Sequence, residues 1–142
     1  MSGTIVVGVD GSGTAMKAAE SARDLAVALG ASLHVVSAFD EDHVEVHGNG
    51  SDQLVMNGAD VAEHLVQTAA KSLGRGLTVT SSTVPGKPAA VLVEEAARMD
   101  ARIIVVGNRR MRGIGRVLGS IANSVAHNAP CDVYIANTYD AE

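Results

Sequence analysis

The chain has 142 residues, enough for one domain with a real apolar core and too few for two comfortable ones. Apolar residues make up 46%, aromatic residues 2%, and the formal net charge is -5. This excludes a disordered chain, and the negative charge and few rings argue against a nucleic-acid partner or an anionic membrane surface.

The start, "MSGTIVVGVD", has no basic leader, and Gly8 breaks its apolar run. It predicts neither a secretory signal nor a membrane span, so the cytoplasm is the expected compartment. "TIVVGVD" reads as the first strand and runs into the glycine-flanked "DGSG". The following segment places Ala15, Ala18, Ala19, Ala22, Leu25, Ala26 and Leu29 on one helical face, closed by Gly30. "ASLHVVSAF" is the second strand. Residues 40–63 then hold seven acids (Asp40, Glu41, Asp42, Glu45, Asp52, Asp60, Glu63) and no Lys or Arg, a pattern that predicts a solvated loop. His43 and His47 stand four apart, but Gly48-Asn49-Gly50 follow at once, so no metal site is expected there or elsewhere. No role is read into His34, His64 or His127.

Ala62, Leu65, Val66, Ala69 and Leu73 repeat the helical stripe before Gly74. "LTVTSSTV" is a third strand. Pro88 suits a first helical turn, and Ala89 to Met99 carries apolar Leu92, Val93 and Ala96. "ARIIVVG" is the fourth strand. Ser120 is the predicted N-cap of a helix reaching about His127, Pro130 stops it, and "CDVYIAN" makes the fifth strand. The first four strands look apolar on both faces. Asp132 and Asn137 flank the fifth and mark it as an edge, where Val133, Tyr134 and Ile135 invite a partner strand.

Five strands alternating with helices predict right-handed crossovers and an α/β fold: a three-layer, doubly wound, mostly parallel sheet of the flavodoxin/Rossmann type. The expected strand order is 3-2-1-4-5, in a single domain over residues 1–142. In such sheets ligands sit beyond the carboxyl ends of the strands, where strand order reverses. That places the loop from Asp10 through Ser12 to Thr14 and the loop from Gly107 to Gly119 on one crevice. The second, "GNRRMRGIGRVLGS", carries Arg109, Arg110, Arg112 and Arg116, four of the chain's eleven basic residues, among Gly107, Gly113, Gly115 and Gly119. Glycines let a backbone approach an anion closely. Ser120 and the amides of Ile121 and Ala122 open a helix whose positive end favours phosphate, and arginines add charge-assisted donors.

Four stretches together resemble the universal stress protein family along essentially the whole chain: "IVVGVDGSGTAMKAAESARDLA", "VPGKPAAVLVEEAARMDARIIVVGNR", "LGSIANSVAHNAPCDVYI" and the acidic variable loop between the first two. The resemblance implies a flavodoxin-like fold (adenine nucleotide alpha hydrolase-like) and a homodimer formed largely through the last strand. In one branch it implies ATP or a related adenine nucleotide, with Mg2+ as its companion ion, bound by stress-responsive regulators. Asp10 matches the family aspartate near adenine and ribose, Val9 is its neighbour, and Ser37 and Ala38 match the adenine-side wall. The branch signature is glycine, two residues, glycine, nine residues, glycine, then serine or threonine. Gly107, Gly119 and Ser120 fit it, whereas Arg110 replaces the second glycine and the following stretch is one residue short. Arg110 either clamps a phosphate or occupies its position.

Three function classes stand open: a nucleotide-binding regulatory module, a dimeric interaction protein with a degenerate phosphate loop, and an enzyme with at most weak ATPase activity. The sequence places no base or nucleophile beyond Asp10 and Ser12, so no catalytic residue is assigned.

Overall fold

The computed structural model describes residues 3–48, 54–108 and 118–138. Among them the strands are β1 (Thr4–Gly8), β2 (Ser32–Phe39), β3 (Val44–His47), β4 (Leu54–Asn57), β5 (Val79–Pro85), β6 (Ile103–Gly107) and β7 (Asp132–Ala136). The helices are α1 (Gly13–Leu29), α2 (Gly58–Leu73), α3 (Pro88–Arg98) and α4 (Ser120–Asn128). Five strands form one parallel sheet in the order β5-β2-β1-β6-β7, which is the expected 3-2-1-4-5 once the β3–β4 hairpin is set aside. No described helix is long and apolar enough to cross a membrane.

Strand alternation divides the core into two layers. Ile5, Val7, Leu33, Val35 and Val105 face one side and pack on α1 and α2. The buried residues of α1 are all alanines (Ala18, Ala19, Ala22, Ala26), which lets that helix lie close on the sheet. Val6, Val36, Ile104 and Val106 face the other side, against Val91, Leu92 and Ala96 of α3 and Ala122 and Val125 of α4. Gly30 closes α1 in the left-handed conformation (φ 65°), as its position predicted.

Residues 40–63 are not a loop throughout. Val44 pairs with Asn57 and Val46 with Val55 in an antiparallel hairpin, and α2 already begins at Gly58. Local chemistry explains the start: the Asn57 side chain accepts from the amide of Asp60 at 2.8 Å, and Asp60 Oδ2 accepts from the amide of Asn57 at 3.3 Å, closing a capping box. Gly58 lies so near Asp40 that a Cβ would strike the Asp40 carbonyl oxygen. Five of the seven acids, Asp40, Glu41, Asp42, Asp60 and Glu63, are exposed.

Two further expectations are corrected. β5 is not apolar on both faces; it is the sheet's second edge, half-buried, with Thr80, Ser81, Ser82 and Thr83 in its middle. Ser120 is the first residue of α4 and not its cap, because Gly119 holds the extended cap conformation (φ -60°, ψ 157°) and contributes no side-chain bond.

Candidate functional site

A crevice of about 350 Å³ opens beyond the carboxyl ends of β1 and β6, the two strands between which the winding direction reverses. Its floor and walls are apolar: Val36 and Ala38 come from β2, Val91 and Leu92 from α3, and Val105 and Val106 from β6. Gly8 sits at the bottom because Leu92 presses over it; a Cβ there would stand 3.3 Å from Leu92 Cδ2. On the rim, Ser12 caps α1 by accepting the amide of Ala15 at 3.1 Å, and Asp10 Oδ1 accepts the amide of Ser12 at 2.9 Å. Gly11 supplies the left-handed residue (φ 86°) that this tight turn requires. Asp10 is exposed at the mouth.

Across the crevice, Gly119, Ser120, Ile121 and Ala122 bring the amino-terminal end of α4 to the same opening. The amides of a first helical turn lack intrahelical acceptors and carry the positive end of the helix dipole, so this rim favours an anion. Below it, Asn108 is buried and ties the end of β6 to the end of β7. Its amide donates to the Ala136 carbonyl at 3.0 Å and its Oδ1 accepts the Thr138 amide at 2.8 Å. Thr138 in turn crowds Gly107, where a Cβ would come within 3.0 Å of Thr138 Cγ2.

Val9, Asp10, Ser12, Ala38, Gly107, Gly119, Ser120 and Ile121, each singled out from the sequence, all line this crevice. Arg109, Arg110 and Gly113, with Arg112, Gly115 and Arg116, lie outside the described residues. Ser37 departs from its expected place: it is 2% exposed and lines a second, smaller cavity of about 240 Å³ on the α2 side of the sheet, together with Phe39, His43 and Val61. Asp10 and Ala38 border both.

Pro88 also lines the crevice, as the first residue of α3 where Gly86 (φ 138°) turns the chain towards it, and so does Thr14 at the end of the first predicted loop. Sequence reasoning missed two groups. Ala15 and Ala18 line the crevice from α1, their helical spacing having pointed only to a core face. His34 and Glu95 are buried together beneath the crevice. A signal existed for the last, since Glu95 falls at helical spacing from Val91 and Leu92, on the stripe reserved for apolar residues. Cys131 is half-buried, and burial, reinforced by the charge of Asp132, pushes its thiol pKa up, away from the reactive thiolate. Among the described residues no three His, Cys, Asp or Glu side chains gather as a metal would need.

A parallel, doubly wound sheet with an apolar crevice at its switch point and a helix amino terminus on the rim defines a flavodoxin-like α/β domain. The sequence matches the universal stress protein family over residues 1–137, and the chain belongs to that family. It is 32% identical over 141 residues to universal stress protein Rv1636 of Mycobacterium tuberculosis, spanning 95% of this chain and 96% of that protein. A universal stress protein solved in complex with cAMP superposes with a TM-score of 0.74 at 30% identity, over 96% of this chain and 98% of that one. The fold also matches a universal stress protein of Archaeoglobus fulgidus (TM-score 0.71, 24% identity, 93% and 96% of the two chains).

Proposed function

We propose that this chain is an adenine-nucleotide-binding regulatory protein of the stress response, acting in the cytoplasm as a homodimer. The single observation that carries the reading is the convergence of the Asp10–Ser12 turn and the Gly119–Ser120 helix start on one apolar crevice. The volume of that crevice lies in the range of small-molecule sites. Its parts suit the parts of a nucleotide. An aromatic base fits between Val36 and Ala38 on one side and Val91 and Leu92 on the other. The exposed Asp10 carboxylate accepts from ribose hydroxyls, and the amides of Ser120 and Ile121 receive phosphate oxygens. Arg109, Arg110 and the backbone at Gly113 complete the phosphate side in this reading, and Mg2+ enters held mainly by the phosphates themselves. The 30% identical relative in complex with cAMP supports an adenine nucleotide as the ligand class.

The dimer forms through the open edge of β7, where Tyr134 is 46% and Ile135 39% exposed, with Val133 beside them. No catalytic step is part of the reading. It is tested by calorimetric titration of the protein and of the Gly119→Val, Ser120→Ala double variant with ATP, AMP and cAMP. Binding by the wild type that the variant loses supports the reading; equal binding by both overturns the placement of the phosphates.

A further inference from the structure

Directly beneath the crevice, on the same two elements that wall it, lies a charged cluster whose centre, His34 and Glu95, is buried. His34 of β2 is 2% exposed and Glu95 of α3 is 5% exposed. Nε2 of His34 stands 2.9 Å from Oε2 of Glu95, and Nδ1 stands 2.7 Å from Oγ1 of Thr80, its partner across the β2–β5 ladder. Ser82 donates its hydroxyl to the same Glu95 oxygen at 2.6 Å and lies 3.0 Å from His34 Nε2. Arg98, one turn further along α3, forks onto the carboxylate with bonds of 2.7 and 2.8 Å. The Arg98 bonds foremost, with those from Ser82 and His34, outweigh burial and hold the Glu95 pKa down at about 2, so the carboxylate is ionised. Both ring nitrogens of His34 are thus within hydrogen-bond reach of a partner, Nε2 of the Glu95 carboxylate and Nδ1 of the Thr80 hydroxyl.

Apolar side chains of similar volume would fill this layer about as stably, because desolvating charges offsets much of their attraction. Polar groups add direction and fixed length, where apolar contacts slide. We infer that His34 and Glu95 are positioning residues of the crevice, forming a clamp that sets how far α3 stands from β2.

This rests on the nucleotide-binding reading above. Val36 follows His34 by two residues on the same face of β2, and Val91 and Leu92 precede Glu95 by one helical turn on the same face of α3. Fixing His34 against Glu95 therefore fixes the two walls between which a flat base must fit. The tolerance is small: a gap of about 0.5 to 1 Å forfeits a quarter to a half of each dispersion contact.

The test uses the full chain carrying His34→Leu with Glu95→Leu, and separately Arg98→Ala, whose side chain is 59% exposed. Three quantities are read: melting temperature, affinity for cAMP, and the ligand-free amide chemical shifts of Val91 and Leu92. The double leucine variant is expected to melt within about 5 °C of the wild type. It is expected to bind cAMP at least about fivefold more weakly, with the Val91 and Leu92 signals displaced. Arg98→Ala should give a smaller change in the same direction. A merely structural cluster predicts that recovered stability restores affinity, so wild-type affinity in the double variant overturns the clamp, as do unmoved Val91 and Leu92 signals. Should the double variant not fold, Arg98→Ala decides by the same readings. A wild type that binds no adenine nucleotide defeats the functional reading, while the ligand-free shifts still decide the clamp.

Discussion

Asp10 and Ser12 are joined by a hydrogen bond of 2.9 Å from the Ser12 amide to Asp10 Oδ1, at the point where β1 hands the chain to α1. One turn both caps the helix and borders the crevice: Ser12 does the capping, and Asp10 holds Ser12 while its carboxylate stays at the crevice mouth. Asp10→Ala removes both the turn's acceptor and the proposed ribose contact. Affinity for ATP, measured by calorimetry, should fall about tenfold or more, as expected for a hydrogen bond to a charged group. Ser12→Ala should instead cost about 1 kcal/mol of stability in urea unfolding, the usual cost of a lost cap.

Acid stability should report the Glu95 cluster. The folded pKa of about 2 lies below the ordinary 4.5, so the cluster contributes fully above the unfolded value and its contribution is lost as pH falls towards 2. Urea unfolding of the wild type should therefore weaken between about pH 5 and pH 2 by an amount on the order of 1 to 3 kcal/mol beyond that of Glu95→Gln. Parallel curves for the two proteins would contradict it.

The β7 edge makes a separate prediction. Ile135→Lys places a charge in the middle of the proposed seam, on a residue that contributes little to the core of a single chain. Sedimentation should find the wild type as a dimer and the variant as a monomer of unchanged circular dichroism.

Two glycines should respond oppositely to the same substitution. At Gly58 an added methyl group strikes the Asp40 carbonyl, so Gly58→Ala should lose about 1 to 3 kcal/mol. At Gly13, in the first turn of α1 with open space around it, Gly13→Ala should gain up to about 1 kcal/mol. Denaturant midpoints measure both.

The fold was legible because parallel strands buried on both faces read as continuous apolar runs, each helix carried its apolar stripe, and the first two ended at Gly30 and Gly74. The hairpin was not. Val44 and Val46 alternate with polar residues over too few positions to stand out from the surrounding acids, β4 is only four residues long, and Val44, Val46 and Val55 are exposed, so no burial enforces the pattern. On the site, glycines and Asp10 announced themselves because loop chemistry needs particular residue types. The apolar walls did not, since Val36, Val91 and Leu92 serve the core and the crevice with the same side chains. His34 was hidden for a related reason: its partners Thr80, Ser82 and Glu95 come together only through strand register and helix packing.

The most direct measurement is mass spectrometry of small molecules released from the native protein, followed by titration of the stripped protein with ATP, AMP and cAMP. The account predicts an adenine nucleotide bound one per chain, and loss of that binding in the Gly119→Val, Ser120→Ala variant. A folded protein that releases nothing and binds none of the three would contradict it, leaving a dimeric interaction protein whose crevice serves packing alone.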